Sequence, residues 1–208
     1  MLTSPRQRGV SLVEAMVALV IGGILLAMAM PNFSAWIAGT RIRSTTEGLL
    51  AGLQYAKSEA TTRNTQVRFQ LTSSLDATCV RSATSTNWIV DVVDADADAD
   101  SVVGQCNAMP SDTAAPSILQ VRSASETGSG VAVNADADQV VFNGLGRQVP
   151  VVAGTPPGNV TIDVTPSSAT GRCVAGGGKI TCLRIVVSPA GQVRMCNPAV
   201  AATDPQSC

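Results

Sequence analysis

The sequence predicts an α+β protein, with one long N-terminal helix packed on a C-terminal antiparallel β-sheet domain. Two observations predict this class. Residues 10–30 are almost wholly apolar and are followed by an amphipathic helical pattern, whereas beyond residue 64 short β-type segments alternate with Gly, Pro, Asn and Asp. The chain has 208 residues, enough for one such helix and one globular domain.

The apolar run over residues 10–30 has the length of a membrane-spanning helix. At about 1.5 Å per residue it covers roughly 30 Å, the thickness of a bilayer core. Arg6 and Arg8 precede the run. Because basic segments stay in the cytoplasm, we predict a single-pass anchor with the rest of the chain on the far side of the membrane.

Glu14 is the one charged residue inside this run. A carboxylate in the centre of a membrane helix costs about 2.5–3.5 kcal/mol, so it should have a use or a partner. Two interpretations are open. Glu14 lies near the cytoplasmic end and reaches the headgroups, or it pairs with the amino group of a neighbouring subunit.

The segment RQRG-VSLVE around Glu14 resembles the class III signal of type IV pilins and pseudopilins. The resemblance implies that residues 1–9 are a leader, that a prepilin peptidase cuts after Gly9, and that the new first residue, Val10, is N-methylated. It implies that Glu14 serves in assembly and that Pro31 bends the helix. Val10 departs from the phenylalanine or methionine that is more usual at the first position.

An amphipathic pattern extends the helix over residues 31–63. Apolar residues recur in steps of seven, four, three and four: Ile42, Leu49, Leu53, Ala56 and Ala60. The charged residues fall largely away from this line. The pattern predicts a helix that packs one stripe on a domain and ends at Arg63 and Asn64.

Nine segments beyond residue 64 have strand character. They are 66–71, 88–93, 118–122, 131–133, 139–142, 148–151, 160–164, 179–187 and 192–196. Asn143-Gly144 indicates a tight turn. The segment from Ser188 to Gly191 has Pro at its second and Gly at its fourth position, as a type I turn prefers, and therefore predicts a hairpin of the last two strands.

Four later segments resemble landmarks of the GspH/FimT/FimU group of minor pilins and pseudopilins. They read LLAGLQYAKSEATTRNTQVRF, NWIVDVVDADAD, VVFNGLGR and IVVSPAGQVRMC. The resemblance implies a type IV pilin-like fold and a structural subunit at or near the tip of a type IV pilus or a type II secretion pseudopilus. The implied partners are other pilins, the prepilin peptidase and the bacterial inner membrane, with residues 64–208 as a periplasmic domain before assembly.

Six cysteines follow the helix: Cys79, Cys106, Cys173, Cys182, Cys196 and Cys208. An even number in an exported domain predicts disulfides formed in an oxidising compartment. Six cysteines allow fifteen pairings. Proximity along the chain suggests that each cysteine pairs with its sequence neighbour, first with second, third with fourth and fifth with sixth. A structural zinc site is the alternative, but there is no C-x-x-C pair and no histidine, so we expect no metal.

The acidic repeat Asp94, Asp96, Asp98 and Asp100 has the alternation that opens an EF-hand calcium loop. The pattern then fails, because the sixth residue is Ala99 rather than glycine and the twelfth is Gln105 rather than glutamate. A solvated surface loop is therefore favoured over calcium, and we expect no cofactor.

Arg194, Arg184 and Arg172 are candidates for DNA binding. The last hairpin of this chain resembles that of the FimT branch of the family, a DNA-binding minor pilin of natural transformation with a G-R-x-R motif there. In this chain Gln192 replaces the first arginine of the motif. Losing one of two arginine–phosphate contacts weakens non-specific affinity. The net charge is −1, or −3 without the two leader arginines, and disfavours DNA as well. DNA binding is therefore the second interpretation, after the structural subunit.

No pattern in the sequence indicates catalysis. There is no histidine to form a triad with the many Ser and Asp residues, and there is no Walker or dinucleotide-binding motif. We therefore predict that the protein is not an enzyme.

Overall fold

The computed structural model describes residues 9–93, 100–123, 130–151 and 154–208, and of residues 28–32 it describes the main chain alone. Within this described part the chain forms one α-helix, α1 (Leu12–Arg63), and nine β-strands. Asp94, Asp96 and Asp98 lie outside the described residues, as does the predicted leader apart from Gly9.

The nine strands lie where the sequence predicts them. They are β1 (Val67–Thr72), β2 (Asn87–Val92), β3 (Ile118–Arg122), β4 (Val131–Ala135), β5 (Gln139–Phe142), β6 (Gln148–Val149), β7 (Val160–Pro166), β8 (Leu183–Val187) and β9 (Val193–Cys196). One helix followed by antiparallel strands confirms the α+β class.

The start of β8 differs most from the prediction, which places it at residue 179. The Cys173–Cys182 disulfide closes a short loop there. Inside this loop the N–H of Ile180 donates to the carbonyl of Arg172 at 3.3 Å, and its own carbonyl accepts from Val174 at 2.9 Å. Residue 180 therefore bonds within its own loop instead of extending the sheet.

The chain divides into two compact units, Met1–Ile37 and Ala38–Cys208. Helix α1 contributes to both, and Pro31 lies within it. The bend predicted at Pro31 stays a prediction. In the part of the chain that the structure describes, no helix combines the length and the apolar character needed to cross a membrane.

In the second unit, the predicted apolar stripe of α1 is its buried face. All five stripe residues have at most 1% of their surface exposed: Ile42, Leu49, Leu53, Ala56 and Ala60. Gly52 lies on the same face, where an added Cβ would stand 2.8 Å from the Trp88 ring and 2.9 Å from the Phe69 ring. The missing side chain thus lets the helix approach β1 and β2 closely.

The described strands form two antiparallel sheets rather than one. The first has the order β3-β2-β1-β5-β6 and the second the order β4-β7-β8-β9. β1 is buried along its whole length, whereas β7 alternates buried and half-buried residues. The first sheet is therefore covered on both faces around β1, and the second presents one face to solvent.

All six cysteines form disulfides. The pairs are Cys79–Cys106, Cys173–Cys182 and Cys196–Cys208, with Cα–Cα distances of 6.1, 5.5 and 5.1 Å. This is the pairing that proximity along the chain suggests. The first pair is buried in an apolar cluster with Ile89, Val102 and Ile118, so it also forms part of the core.

Candidate functional site

The N-terminus of α1 is capped by Ser11. Its hydroxyl accepts a hydrogen bond from the N–H of Glu14 at 3.2 Å, and its carbonyl accepts one from Ala15 at 3.1 Å. Serine at the cap with glutamate three residues later is a common helix start, and a carboxylate in the first turn interacts favourably with the helix dipole. The local sequence therefore places Glu14 where the helix end itself stabilises a negative charge.

The apolar side chains around Glu14 are open to their surroundings. Val10 is 71% exposed, and Leu12 and Leu19 are each 77% exposed. Glu14 is exposed too, and among the described residues its carboxylate has no hydrogen-bond partner. A continuous exposed apolar surface marks contact with lipid or with protein. This segment, residues 10–27, is the candidate assembly site.

The predicted turn between β8 and β9 contacts helix α1. The N–H of Gly191 donates to the carbonyl of Ser188 at 2.8 Å, which closes the turn between β8 and β9. The Nζ of Lys57 on α1 donates to the carbonyl of Gly191 at 2.9 Å. Gly191 has a φ of 78°, and an added Cβ would overlap the carbonyl oxygen of Gly146. Only glycine fits this position without strain.

The turn predicted at Asn143-Gly144 joins β5 to β6 and packs on the end of α1. The N–H of Gly146 donates to the carbonyl of Asn143 at 2.8 Å. An added Cβ at Gly144 would stand 3.0 Å from the Cα of Asn64, which follows the helix with a φ of 50°. Three of the four landmark segments therefore meet at one junction, and the close packing there explains Gly144 and Gly191.

Two of the three arginines considered for DNA have partners within the chain. Arg184 forms a two-point ion pair with Asp163, its neighbour across β7 and β8, at 2.7 and 2.9 Å. Arg194 on β9 donates to the main-chain oxygen of Cys208 at 3.0 Å and to that of Ser207 at 3.4 Å. Arg172 lies exposed beside the Cys173–Cys182 loop. Arg184 and Arg194 thus hold the fold together locally.

The Arg184–Asp163 pair lies in a cleft of about 360 Å³ on the outer side of the second sheet. Asn134 lines the cleft beside the pair, and Ala175 and Ala199 line it from the two disulfide-closed loops. The hydrogen bonds that Arg184 donates to the Asp163 carboxylate raise the pKa of Arg184. The positive charge in the cleft is therefore matched by a carboxylate, which makes the cleft a poor site for an anion.

The first sheet contains a buried charged network that no sequence pattern predicted. Asp91 is fully buried and accepts from Arg68 at 2.6 and 3.2 Å and from Gln70 at 3.1 Å. Arg68 also donates to Asp100 at 2.7 Å. Burial raises the pKa of Asp91 to about 6, although the Arg68 guanidinium opposes this rise. The available signal was a single charged residue in each of two strands, Arg68 in β1 and Asp91 in β2.

No group of three or more His, Cys, Asp or Glu residues is arranged to hold a metal ion, as far as the described residues go. Asp100 of the acidic repeat is engaged with Arg68. Asp94, Asp96 and Asp98 fall in the undescribed segment 94–99, so the solvated loop expected there stays a prediction.

Two family models match the chain. One is type II transport protein GspH, over residues 45–191, and the other is the prokaryotic N-terminal methylation motif, over residues 4–30. Among solved structures, the type IV minor pilin FimU of Pseudomonas aeruginosa PAO1 is 17% identical, with a TM-score of 0.46, and the match covers 81% of this chain and 96% of that chain. GspH of E. coli is 17% identical, with a TM-score of 0.42 and coverage of 80% and 94%. No curated protein matches the chain.

Proposed function

The chain belongs to the GspH family of type II transport proteins, and from this premise we propose that it is a minor subunit at or near the tip of a type IV pilus or a type II secretion pseudopilus. One observation carries the proposal. The methylation motif matches residues 4–30 and the GspH model matches residues 45–191, so a processing signal and a pseudopilin domain occur in order on one chain. The protein is a structural subunit of the pilin type, and we expect neither catalysis nor a cofactor.

Processing is the first step of the proposed function. A prepilin peptidase cuts after Gly9, and the new amino terminus at Val10 is methylated. Before assembly, residues 10–30 anchor the chain in the bacterial inner membrane and the C-terminal domain lies in the periplasm. Three disulfides suit this oxidising compartment, and the exposed apolar side chains of residues 10–27 suit a lipid environment.

Glu14 is proposed to join subunits. Its carboxylate is exposed and lacks a hydrogen-bond partner among the described residues. In an apolar fibre interior the amino group of a neighbouring pilin would neutralise it, and an unpaired charge there would be costly. Other pilins are therefore the main partners, and each contact places the charged end of one helix beside Glu14 of the next.

Cross-linking of a Glu14→Ala variant tests this role. The variant should reach the membrane as well as the wild type, because one charge fewer enters the bilayer. It should lose its cross-links to other pilins. Glu47→Ala is the matched control, since Glu47 is an exposed glutamate on the same helix, paired with Arg43 at 2.9 Å. Wild-type cross-linking by Glu14→Ala would refute the proposed role.

The alternative function, DNA binding in natural transformation, has less support. Arg184 is neutralised by Asp163, Arg194 is bound to the C-terminal segment, and Gln192 stands where the motif has an arginine. Deleting the gene and scoring twitching motility, protein secretion and DNA uptake side by side separates the three roles. Loss of DNA uptake alone would favour the alternative.

A further inference from the structure

Phe33 and Trp36 form an exposed aromatic pair on α1. Their ring centroids are 5.9 Å apart, and the side chains are 61% and 66% exposed. The chain has only six aromatic residues, and Phe69, Trp88 and Phe142 are each at most 1% exposed. Two of the six aromatic residues are therefore exposed side by side on α1. An exposed apolar pair of this kind is a candidate contact surface.

The spacing of charges leaves the depth of the helix in a bilayer undetermined. No charged residue lies between Glu14 and Arg41, a stretch of 26 residues. At about 1.5 Å per residue this stretch is about 39 Å long, whereas a bilayer core is about 30 Å thick. Charges alone would therefore let the helix slide by about 9 Å.

The aromatic pair lies where it would remove this freedom. Phe33 follows Glu14 by nineteen residues, or about 28 Å of helix, close to the thickness of the core. Trp36 follows Leu12, where α1 begins, by about 36 Å of helix, which exceeds the core and falls short of the 40–45 Å of a bilayer with its headgroups. Tryptophan concentrates at membrane interfaces, because an indole has a large apolar body and one polar N–H. The ring of Phe33 stacks on that of Trp36 and adds apolar surface beside it.

We propose that Phe33 and Trp36 anchor the helix at the outer headgroup layer of a phospholipid bilayer and so fix its depth before the subunit enters a fibre. The inference rests on the membrane anchoring in the proposed function. With the pair at the outer boundary, Glu14 lies at the inner one, within reach of the headgroups. Glu14 would then be tolerated in the membrane, because its carboxylate reaches the headgroups, and it would remain available for assembly.

Depth-dependent fluorescence quenching tests the proposal. The full chain is reconstituted into vesicles of phosphatidylethanolamine and phosphatidylglycerol that contain lipids brominated either near the headgroup or near the chain end. Trp88 is buried in the globular unit, so lipid-dependent quenching reports Trp36. Lipids brominated near the headgroup (shallow) should quench Trp36 more than lipids brominated near the chain end (deep). As a control in the same helix, Ile24→Trp combined with Trp36→Phe should be quenched more by deep bromines.

Three outcomes would count against the inference in different ways. A chain that fails to float with the vesicles refutes the membrane anchoring itself. A chain that floats while Trp36 is quenched most by deep bromines, or by neither kind, refutes the aromatic anchor and leaves the anchoring intact. Emission from Trp36 that changes with the protein-to-lipid ratio but not with bromine would assign the pair to a contact with a second copy, which also refutes the anchor.

A second variant tests whether the pair fixes the depth or only reports it. Phe33→Leu and Trp36→Leu are combined with the reporter Ile24→Trp. The difference between deep and shallow quenching at position 24 should shrink, because the helix now slides. An unchanged difference in a chain that floats normally would contradict the anchoring role.

Discussion

The buried carboxyl of Asp91 should make the protein more stable at pH 5 than at pH 7. Burial raises its pKa from the ordinary 3.8 to about 6, against the opposing effect of Arg68. A carboxyl whose pKa is raised by folding favours the folded state in its protonated form. This stabilisation is complete below pH 3.8 and is lost as the pH rises through 6.

The size of the effect follows from the same pKa. In the unfolded chain Asp91 is ionised at both pH values, whereas in the folded chain it is mostly protonated at pH 5 and mostly ionised at pH 7. Since one pKa unit corresponds to about 1.4 kcal/mol, the free energy of unfolding should fall by about 1 kcal/mol from pH 5 to pH 7. The chain has no histidine, the residue that usually titrates in this range.

Urea unfolding of the detergent-solubilised chain measures this difference, in a Trp36→Phe background so that the fluorescence reports Trp88. Asp91→Asn keeps the shape of the side chain and removes its titration, so its stability should be nearly the same at both pH values. Asp112→Asn, at an exposed aspartate, should keep the wild-type pH dependence. A wild type that is less stable at pH 5, or an equal pH dependence in Asp91→Asn, would show that Asp91 is not the group responsible.

Two further predictions concern the turns and the disulfides. Gly191→Ala should lower the free energy of unfolding by more than about 1–2 kcal/mol, because it adds an overlap with Gly146 to the cost of a positive φ. Thermal unfolding measures this loss. The control Gly176→Ala should show no comparable loss, because an added Cβ there meets nothing within 4 Å. Replacing the Cys79–Cys106 pair, 27 residues apart, by alanines should cost about 3.5 kcal/mol, against about 2.5 kcal/mol for the Cys173–Cys182 pair, nine residues apart. The reverse order in urea unfolding would show that loop length does not govern these costs.

Local patterns predicted the elements because each element carries its own signal. The steps of three, four and seven from Ile42 to Ala60 mark a single buried face of α1, and all five stripe residues are buried there. The Pro and Gly positions between Ser188 and Gly191 specify a turn, and the hydrogen bond that closes it is present. Both signals depend on residues close together in the sequence.

Features that depend on distant pairings were not predicted. The division into two sheets follows from pairs such as β1 with β5 and β4 with β7, which no local pattern encodes. The same holds for the site residues. Arg184 looked available for a ligand until its neighbour across the sheet proved to be Asp163, and Arg68 gave no sign of burial because its partner Asp91 lies 23 residues away. Cleavage after Gly9, methylation of Val10 and the pairing of Glu14 stay predictions.

Mass spectrometry of the N-terminus tests whether the chain is processed as a pilin, on which every proposed step depends. The protein is extracted from membranes of cells that contain a prepilin peptidase, and its first residue is identified. A pilin-type subunit should begin at Val10 and carry one added methyl group on the amino nitrogen. A mature chain that still begins at Met1, or that is cut beyond Met30, would contradict the account.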